Sequence, residues 1–444
     1  MADASTIFAL SSGSVPAGVA VIRVSGPAAP ETIRLMASPE VIDRRAAFRR
    51  IVHPATGELL DQALVLYFAG PRSETGEHIA EFQVHGGRAV VRAVLDALAL
   101  IPGCRMAEPG EFARRAFNNG KLDLVEIDAL ADLVAAETEA QRRLAMRSGG
   151  MLSTLYEGWR TSLIEIAALT EAAIDFSDEA DVSSSALEQA RLRAKPLMFE
   201  IARHLDDGHR GEILRDGFRV ALLGPPNAGK SSLLNALARR DAAIVSEEAG
   251  TTRDVIEVRL DLDGYPVIVS DTAGIRETEA PVEREGIRRA LAAARDADLN
   301  LWLSETGLDT APKEISRETI LEVRTKSDLD SSLSPRPSGE DGAILAVSAK
   351  TGAGLDDLIK VIAARSAAAV GDDGDVPLVA QARHRTNLEA AVANIGDFLA
   401  GSAEDLELRA EDMRRAAHAL GRITGRVDVE DVLGQIFSRF CIGK

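Results

Sequence analysis

The chain has 444 residues, of which 46% are hydrophobic, 27% charged and 4% aromatic, and its formal net charge is −18. This composition predicts a soluble globular protein of about two to four domains, and so few aromatics exclude an extended base-stacking surface. The negative charge means that any RNA contact requires local basic patches. No membrane span or signal peptide is predicted, and Cys104 and Cys441 are the only cysteines. We therefore expect a cytoplasmic protein without a disulfide framework.

Residues 1–118 are predicted to form a mixed α/β segment. Three apolar runs have the character of strands, at 19–24, 64–68 and 79–84. Helical periodicity follows at 88–100. Arg23 and Glu81 lie inside two of the strand patterns. Considered alone, each is best interpreted as a solvent-facing strand residue rather than a functional one.

The pattern from residue 121 to about 207 is helical, because apolar residues recur at spacings of three and four. Arg142, Arg143 and Arg147 would form a basic stripe on one of these helices. A solvated helix face is the favoured interpretation of the three arginines.

The most informative stretch begins with the apolar run 218–223, which predicts a buried parallel strand. The segment from Gly224 to Ser231 then matches the phosphate-loop pattern G-x-x-x-x-G-K-[ST], and a helical pattern follows it. In such a loop, glycines let backbone N–H groups wrap a phosphate at a helix N-terminus. Lys230 is expected to reach the β- and γ-phosphates, and the Ser231 hydroxyl to bind Mg²⁺.

The alternation of strands and helices beyond this loop predicts a parallel sheet with its ligand at the C-terminal strand ends. The runs 255–262 and 265–270 predict a hairpin with an Asp-Gly turn, and the second strand leads into Asp271, Thr272, Ala273 and Gly274. Further strands are expected at 299–303, 320–323 and 344–347.

The chain returns to a helical pattern over 377–444, after a polar loop at 331–342 and a linker at 371–375. This last piece is too short to predict an independent core. We therefore expect it to pack on the helices before residue 217. The nucleotide domain would then be an insertion in one helical domain.

Guanine has donors at N1 and N2 where adenine does not, so a carboxylate acceptor selects it. The segment Thr325-Lys326-Ser327-Asp328 matches the base-reading motif [NT]-K-x-D, with Asp328 accepting from guanine and Lys326 covering the base. Ser348, Ala349 and Lys350 follow the next strand and support this contact. Thr325 replaces the commoner Asn, and because a hydroxyl cannot reproduce the contacts of an amide, we expect weaker nucleotide binding. The motifs in this order predict GTP rather than ATP.

Mg²⁺ needs hard oxygen ligands beside the phosphates. Ser231 supplies one, Thr252 is the expected second, and Asp271 is expected to hold a metal-bound water. Ile275 stands where Ras-like enzymes have a glutamine, so another residue must orient the attacking water. The residues alone leave four acidic candidates open for that role: Glu277, Glu279, Glu283 and Glu285. No arginine finger can be identified in the sequence.

Together, these residues resemble the MnmE (TrmE) family of tRNA-modification GTPases, within the TrmE-Era-EngA-like GTPases. The resemblance covers essentially the whole chain. Its motifs stand at 6–7, 21–26, 109–112, 115–117, 121–124, 226–237, 249–254 and 440–444. The last of these, Phe-Cys-Ile-Gly-Lys on a chain that also carries a GTP-binding domain, is highly specific.

The resemblance implies an α/β and α fold: a folate-binding, dimerising α+β N-terminal domain (1–118), a helical domain in two parts (119–216 and 371–444), and an inserted Ras-like P-loop G domain with a mostly parallel sheet (217–370). It implies a homodimer that works with a FAD-dependent MnmG-type partner, as a heterotetramer, on C5 of the wobble uridine in certain tRNAs. A tetrahydrofolate derivative, 5,10-methylene or 5-formyl, supplies the one-carbon unit, and glycine or ammonium supplies the amino group. GTP hydrolysis then depends on K⁺ and on the approach of two G domains.

The resemblance also implies roles for single residues. Asn227, Ser246, Glu248 and Thr251 fall on the K⁺ site, to which Glu248 contributes a backbone carbonyl, and Glu283 falls on the catalytic glutamate that orients water. Arg23, Glu81, Lys121 and Lys444 fall on folate-contacting positions, a set that suits a glutamyl carboxylate and the donor edge of a pterin. The GTP-contacting positions are Asn227, Ala228, Gly229, Lys230, Ser231, Ser232, Ser246, Glu247, Glu248, Ala249, Gly250, Thr251, Thr252, Asp271, Thr272, Ala273, Gly274, Thr325, Lys326, Asp328, Ser348, Ala349 and Lys350.

The chain departs from the family pattern at three places. Pro16-Ala17-Gly18 replaces a Gly-Arg-Gly-Gly loop, the segment Ser304-Glu305-Thr306 lacks the usual Asp, and Thr325 replaces Asn. None of these changes removes a predicted catalytic group.

Two functions stay open at this point. The chain is either a tRNA-modifying GTPase, or a regulatory or ribosome-assembly GTPase whose N-terminal region is a binding module. The folate set with Lys444 distinguishes the two. Cys441 is interpreted as a small packed residue rather than a nucleophile. The candidate tRNA contacts are Arg142, Arg143, Arg414, Arg415 and Arg422.

Overall fold

The computed structural model describes residues 5–39, 41–176, 180–240, 242–244, 257–271, 291–305, 311–312, 314–329, 345–371, 378–402, 405–427, 430–437, 440 and 443. Internal contacts divide the chain into two compact units. The first consists of Met1–Ala131, Leu152–Thr161 and Ala417–Lys444, and the second of Asp132–Met151 and Ser162–Ala416. Among the described residues, no helix combines the length and the apolar character that a membrane span requires.

The first unit contains a six-stranded sheet with the order β3-β4-β5-β2-β1-β6. Its strands are β1 (Thr6–Leu10), β2 (Ala17–Ser25), β3 (Ala47–Val52), β4 (Leu59–Phe68), β5 (Ile79–Gly86) and β6 (Cys104–Met106). Neighbouring strands are antiparallel except for β6, which runs parallel to β1. The three strands predicted here are confirmed, whereas β1, β3 and β6 are strands that the sequence analysis did not predict.

The two faces of this sheet are covered by different helices. Helices α1 (Ala29–Met36) and α2 (Arg88–Ala99) pack on the face that contains Ile22, Val24 and Phe82. Helix α3 (Glu111–Asn118) places Phe112 on the other face, against Ile7 and Ala9. Because side chains alternate along a strand, Arg23 and Glu81 lie on the α3 face.

The long helical segment predicted from residue 121 is confirmed. It forms α4 (Leu124–Ala135), α5 (Glu139–Asp175) and α6 (Ala180–Leu205), which the short helix α7 (Arg210–Asp216) follows. Helix α5 begins with a capping box, in which Thr138 and Gln141 each bond to the other's backbone N–H.

The second unit contains a six-stranded sheet with the order β12-β11-β10-β7-β9-β8. Its strands are β7 (Phe218–Leu223), β8 (Glu257–Leu262), β9 (Tyr265–Asp271), β10 (Leu299–Ser304), β11 (Ile320–Arg324) and β12 (Leu345–Ala346). All neighbours are parallel except β8 and β9. Helices α8 (Lys230–Ala238) and α9 (Leu355–Val370) contribute to its core. The predicted parallel sheet is therefore confirmed.

The predicted hairpin turn is also confirmed. Asp263 and Gly264 both have positive φ, of 54° and 89°, the conformation that a two-residue hairpin turn requires. The structure begins β8 at Glu257, and residues 255–256 of the predicted strand lie outside the described residues.

The C-terminal helices are α10 (Ala382–Ala400), α11 (Leu406–Thr424) and α12 (Glu430–Phe437). In the second unit, α10 packs on α6, as predicted for the helices that follow the nucleotide-binding sheet. In the first unit, Ile436 and Phe437 of α12 join a core with Leu124 and Ile127 of α4. The final segment therefore contributes to cores in both units, and the insertion of the nucleotide domain in one helical domain stays a prediction.

Candidate functional site

The loop after β7 has a backbone that only glycine permits at its start. Gly224 has φ of 142°, and a Cβ there would overlap the carbonyl oxygen of Leu303. Asn227 and Gly229 also have positive φ, of 63° and 90°, and Gly229 leads directly into α8. The loop therefore turns around the N-terminus of α8, where free N–H groups and the helix dipole favour an anion.

Lys230, the first residue of α8, extends back over this loop. Its Nζ donates to the carbonyl oxygens of Gly224 and Pro225, at 2.9 and 3.0 Å. Partial burial lowers the pKa of Lys230 from its ordinary value, and the nearby carboxylate of Asp271 opposes this shift. The ammonium group is thus held at the concave side of the loop, where the sequence predicts the β- and γ-phosphates.

Ser231 and Asp271 meet beside the loop. The Ser231 hydroxyl donates to Oδ2 of Asp271 at 2.6 Å, and Asp271 is buried at the C-terminal end of β9. Asp271 lies opposite Leu222 in the parallel register of β9 with β7. Two hard oxygen donors converge there, a donor set that fits Mg²⁺. The other predicted ligand, Thr252, lies outside the described residues.

The base-reading segment lies at the same edge of the sheet, after β11. The Ser348 hydroxyl donates to Oδ1 of Asp328 at 2.7 Å, and this hydrogen bond holds the pKa of Asp328 below its ordinary value. Asp328 is exposed, whereas Ser348 is fully buried. The carboxylate is therefore ionised, oriented and accessible, as an acceptor for the N1 and N2 donors of guanine must be.

Thr325 connects the base-reading segment to the phosphate loop. Its buried hydroxyl donates to the carbonyl oxygen of Ala228 at 2.7 Å, and its backbone N–H donates to Ser304. The sequence analysis expected a hydroxyl to be a poor substitute for an amide at this position. The structure shows that Thr325 makes a direct contact with the loop, while the predicted loss of nucleotide affinity stays a prediction.

Glu305 comes directly after β10. Its Oε2 lies 2.6 Å from Nζ of Lys326, and both side chains are about half exposed. The ion pair fastens the long side chain of Lys326 at the entrance of the base-reading segment. Lys326 is thus oriented by Glu305, which follows β10, and Asp328 is oriented by Ser348, which follows β12.

Some of the predicted site residues lie outside the described residues. These are Ser246, Glu247, Glu248, Ala249, Gly250, Thr251, Thr252, Thr272, Ala273, Gly274, Glu283 and Lys444. Cys441 is also outside them. The structure brings together the phosphate loop, Asp271, Thr325, Asp328 and Ser348.

In the first unit, the predicted folate residues Arg23 and Glu81 form an ion pair. They lie directly opposite each other on β2 and β5, and Nε of Arg23 donates to Oε1 of Glu81 at 3.0 Å. Both side chains are largely buried, with 19% and 16% of their area exposed. The interpretation of each as a solvent-facing strand residue is therefore wrong, because α3 covers part of this face.

Gly443 and Lys121 lie near the same sheet. Gly443 is packed so closely on β1 that a Cβ would overlap the carbonyl oxygen of Leu10, and its own carbonyl accepts from the Ser11 hydroxyl at 2.8 Å. Leu10, which Gly443 contacts, is next to Ala9, and Ala9 lies opposite Arg23 in the register of β1 with β2. Gly443 therefore lies close to the strand position of Arg23. Lys121 follows α3 and lies beside Gly76 of the loop between β4 and β5.

Sequence reasoning missed Glu74 in this loop. Its Oε2 lies 2.9 Å from Nη1 of Arg23, so that Arg23 lies between two carboxylates. No motif or spacing in the sequence identifies Glu74, because its contact with Arg23 depends on how the loop folds over β2.

The candidate tRNA-binding arginines are mostly paired. Arg142 and Arg143 form ion pairs with Glu139, and Arg414 and Arg415 with Glu411. The solvated helix face is therefore the better interpretation for these positions.

A cavity of about 560 Å³ lies in the second unit between the start of α5 and the β8–β9 edge. Two of its arginines are already neutralised, Arg215 by Asp132 at 2.8 Å and Arg259 by Glu137 at 3.2 Å. The N–H of Ala140 also donates to the carbonyl oxygen of Gly264, which fastens the hairpin turn to the first turn of α5. These contacts attach the hairpin to the helix, and they indicate no particular ligand.

Comparison with known proteins agrees with the geometry. Residues 6–121 match the description "GTP-binding protein TrmE N-terminus", and residues 124–441 match "MnmE helical domain". The "tRNA modification GTPase MnmE" of Methylobacterium radiotolerans is 50% identical over 447 residues, which cover 100% of both chains. Proteins of the same name from Parvibaculum lavamentivorans and Agrobacterium fabrum are each 49% identical, over 99% and 100% of this chain and 100% and 99% of their own. The chain therefore belongs to the MnmE family of tRNA modification GTPases.

Proposed function

We propose that this protein hydrolyses GTP in order to drive modification of C5 of the wobble uridine in certain tRNAs. Family membership makes it a GTP hydrolase that acts in tRNA modification. The observation that carries the proposal is the convergence of Lys230, Ser231, Asp271, Thr325 and Asp328 at one edge of a parallel sheet. That edge is where open α/β sheets bind their ligands.

Each group at this edge has a distinct task. Lys230 and the N–H groups of the loop bind the phosphates, and Asp328 accepts from guanine. Ser231 and Thr252 would hold Mg²⁺, which neutralises charge on the phosphate oxygens when bound. Glu283 would orient the attacking water, since the aliphatic side chain of Ile275 cannot form a hydrogen bond.

A second cation completes the proposed site. Asn227, Ser246, Thr251 and the carbonyl of Glu248 would bind K⁺, whose charge takes the place of an arginine finger. The positive φ of Asn227 supports this role, because the backbone of the phosphate loop turns at this residue. Approach of a second G domain would then enclose the site.

The modification itself requires a carbon donor and a partner. We propose that Arg23, Glu81, Lys121 and Lys444 bind a tetrahydrofolate derivative, 5,10-methylene or 5-formyl, which supplies the one-carbon unit. A FAD-dependent MnmG-type protein joins the homodimer in a heterotetramer and adds the (carboxymethyl)aminomethyl group, with glycine or ammonium as the nitrogen source. The packing of Gly443 on Leu10 supports this assignment, because it brings the residue before Lys444 to the strand that pairs with that of Arg23.

An exposed apolar pair supports the homodimer. Phe48 of β3 lies directly opposite Leu64 of β4, and 63% and 42% of their areas are exposed. Together they form an exposed apolar surface that a second copy of the chain can cover. A second copy of the chain is the proposed occupant, and replacement of both residues by glutamate should convert the dimer to monomer in light scattering. A wild-type protein that is monomeric at micromolar concentration would contradict this.

The proposal includes the four-part organisation into 1–118, 119–216, 217–370 and 371–444, and a cytoplasmic location. The competing function, a regulatory or ribosome-assembly GTPase, is disfavoured because the family match extends over both the N-terminal and the helical segments. Calorimetric titration of the full-length protein with 5-formyltetrahydrofolate tests the folate assignment. We expect saturable binding that Arg23→Ala abolishes, and absence of binding to the wild type would overturn it.

A further inference from the structure

Arg23 is held by two carboxylates that differ in their surroundings. Glu81 contacts Nε from the neighbouring strand, and only 16% of its side chain is exposed. Glu74 contacts Nη1 from a loop, and 52% of its side chain is exposed. The Arg23 guanidinium also lies over the ring of Phe112, 6.0 Å from its centroid. Arg23 is therefore held on its buried side by Glu81. On its exposed side it is bound by Glu74, which a ligand can replace.

The backbone that carries Glu74 is firmly anchored. The next residue, Thr75, is fully buried, and its hydroxyl lies 2.7 Å from the hydroxyl of Ser25. Its carbonyl accepts from Nδ2 of Asn119 at 2.8 Å. Glu77 accepts from Ser25 and from Arg115, at 2.7 and 3.1 Å. Glu74 can thus leave Arg23 by a change of side-chain rotamer, without any movement of the loop.

We propose that Glu74 is an affinity-setting residue of the folate site, which occupies the outer face of Arg23 until the carboxylate of a ligand replaces it. This inference rests on the proposed function, in which Arg23 contacts the folate. Glu81 then serves to orient Arg23, because it is buried against the sheet and stays in place. The ligand group at this point is the glutamyl carboxylate, since a guanidinium binds a carboxylate with paired, charge-assisted hydrogen bonds.

The charges of Arg23 and its two glutamates explain why Glu74 lowers the affinity of the site for an anionic ligand. With both glutamates in contact, the cluster of Arg23, Glu74 and Glu81 has an excess negative charge, which repels an anionic ligand. Without Glu74, Arg23 and Glu81 balance, and the outer hydrogen-bonding edge of the guanidinium is available. An ion pair with one exposed partner contributes little, so the exchange requires only a modest change in free energy.

Glu74→Gln tests the inference, because it keeps the size of the side chain and removes its charge. Calorimetric titration of the full-length protein with 5-formyltetrahydrofolate should give a Kd about two- to fivefold lower than for the wild type. The control variant is Glu31→Gln, which removes an exposed glutamate paired with Arg34 on α1 and should leave Kd unchanged. The control ligand is 5-formyltetrahydrofolate with both glutamyl carboxylates amidated, for which Glu74→Gln should give no gain.

The outcomes separate the two proposals. If the wild type binds the folate and Glu74→Gln binds it equally or more weakly, the proposed role of Glu74 is overturned. The folate assignment is then intact. An equal gain for the amidated ligand would also overturn it, because Glu74 would then not compete with a carboxylate. Absence of folate binding to both proteins would overturn the folate assignment and this inference with it.

Discussion

The hydroxyl of Thr325 donates a 2.7 Å hydrogen bond to the carbonyl oxygen of Ala228, 97 residues away in the chain. This bond joins the segment that reads the base to the loop that binds the phosphates. Both groups are buried, so neither has water as an alternative partner. The two segments are thus held in one arrangement by a single buried side chain.

Thr325→Val should weaken binding of both GTP and GDP by about tenfold. The substitution keeps the shape of the side chain but leaves the carbonyl oxygen of Ala228 without its partner, at a cost of about 1–3 kcal/mol. Thr325→Ser retains the hydroxyl and should bind nearly as the wild type does. Fluorescent-nucleotide titration measures all three proteins, and a valine variant with wild-type affinity would show that the bond does not support the site.

Asp328→Asn should change the base preference of the site from guanine to xanthine. The amide offers a donor where the carboxylate accepted, which suits the additional carbonyl oxygen of xanthine. We expect at least about a hundredfold loss of affinity for GTP and a gain for xanthosine triphosphate. Competition titrations with the two nucleotides measure this exchange. Unchanged GTP affinity would remove Asp328 from the site.

K⁺ should accelerate GTP hydrolysis by at least about tenfold over Na⁺ at equal ionic strength, because its larger radius suits the proposed set of amide, hydroxyl and carbonyl oxygens. Asn227→Ala should lose this stimulation while it retains nucleotide binding. Steady-state phosphate release in the two salts gives the comparison. Equal rates in K⁺ and Na⁺ would remove the assignment of a K⁺ site.

His204 should make the second unit sensitive to mild acid. Burial lowers the pKa of His204 from 6.5 to about 4, against the opposing charge of Asp207. The unfolded chain therefore binds a proton below about pH 6.5 that the folded chain does not bind until about pH 4. Stability is lost as the pH falls through this window, by up to about 3 kcal/mol. His204→Gln should remove that part of the pH dependence in denaturant unfolding, and parallel curves for the two proteins would contradict it.

The described part of the candidate nucleotide site was predictable from the sequence, because its motifs are contiguous and each fixes both a backbone shape and a chemical group. Gly224, Lys230 and Asp271 all lie where their motifs place them. The parallel sheet was predictable for a related reason, since its buried strands are short apolar runs.

The arrangement of the proposed folate site was less predictable, because it depends on contacts between distant parts of the chain. Arg23 and Glu81 meet only through the register of β2 with β5, and that register is not visible in either strand alone. The contact of Glu74 depends on the path of a loop. The hydrogen bond between Gly443 and Ser11 joins residues 432 positions apart, and neither segment alone indicates it.

The most direct test of the account is nucleoside analysis of tRNA from cells that lack this protein. We predict that aminomethyl-type modification at C5 of wobble uridine is lost. A plasmid copy of the wild type should restore it, whereas Glu283→Ala, which keeps GTP binding but cannot orient the attacking water, should not. Unchanged wobble uridines in cells without the protein would contradict the central claim that its GTP hydrolysis serves tRNA modification.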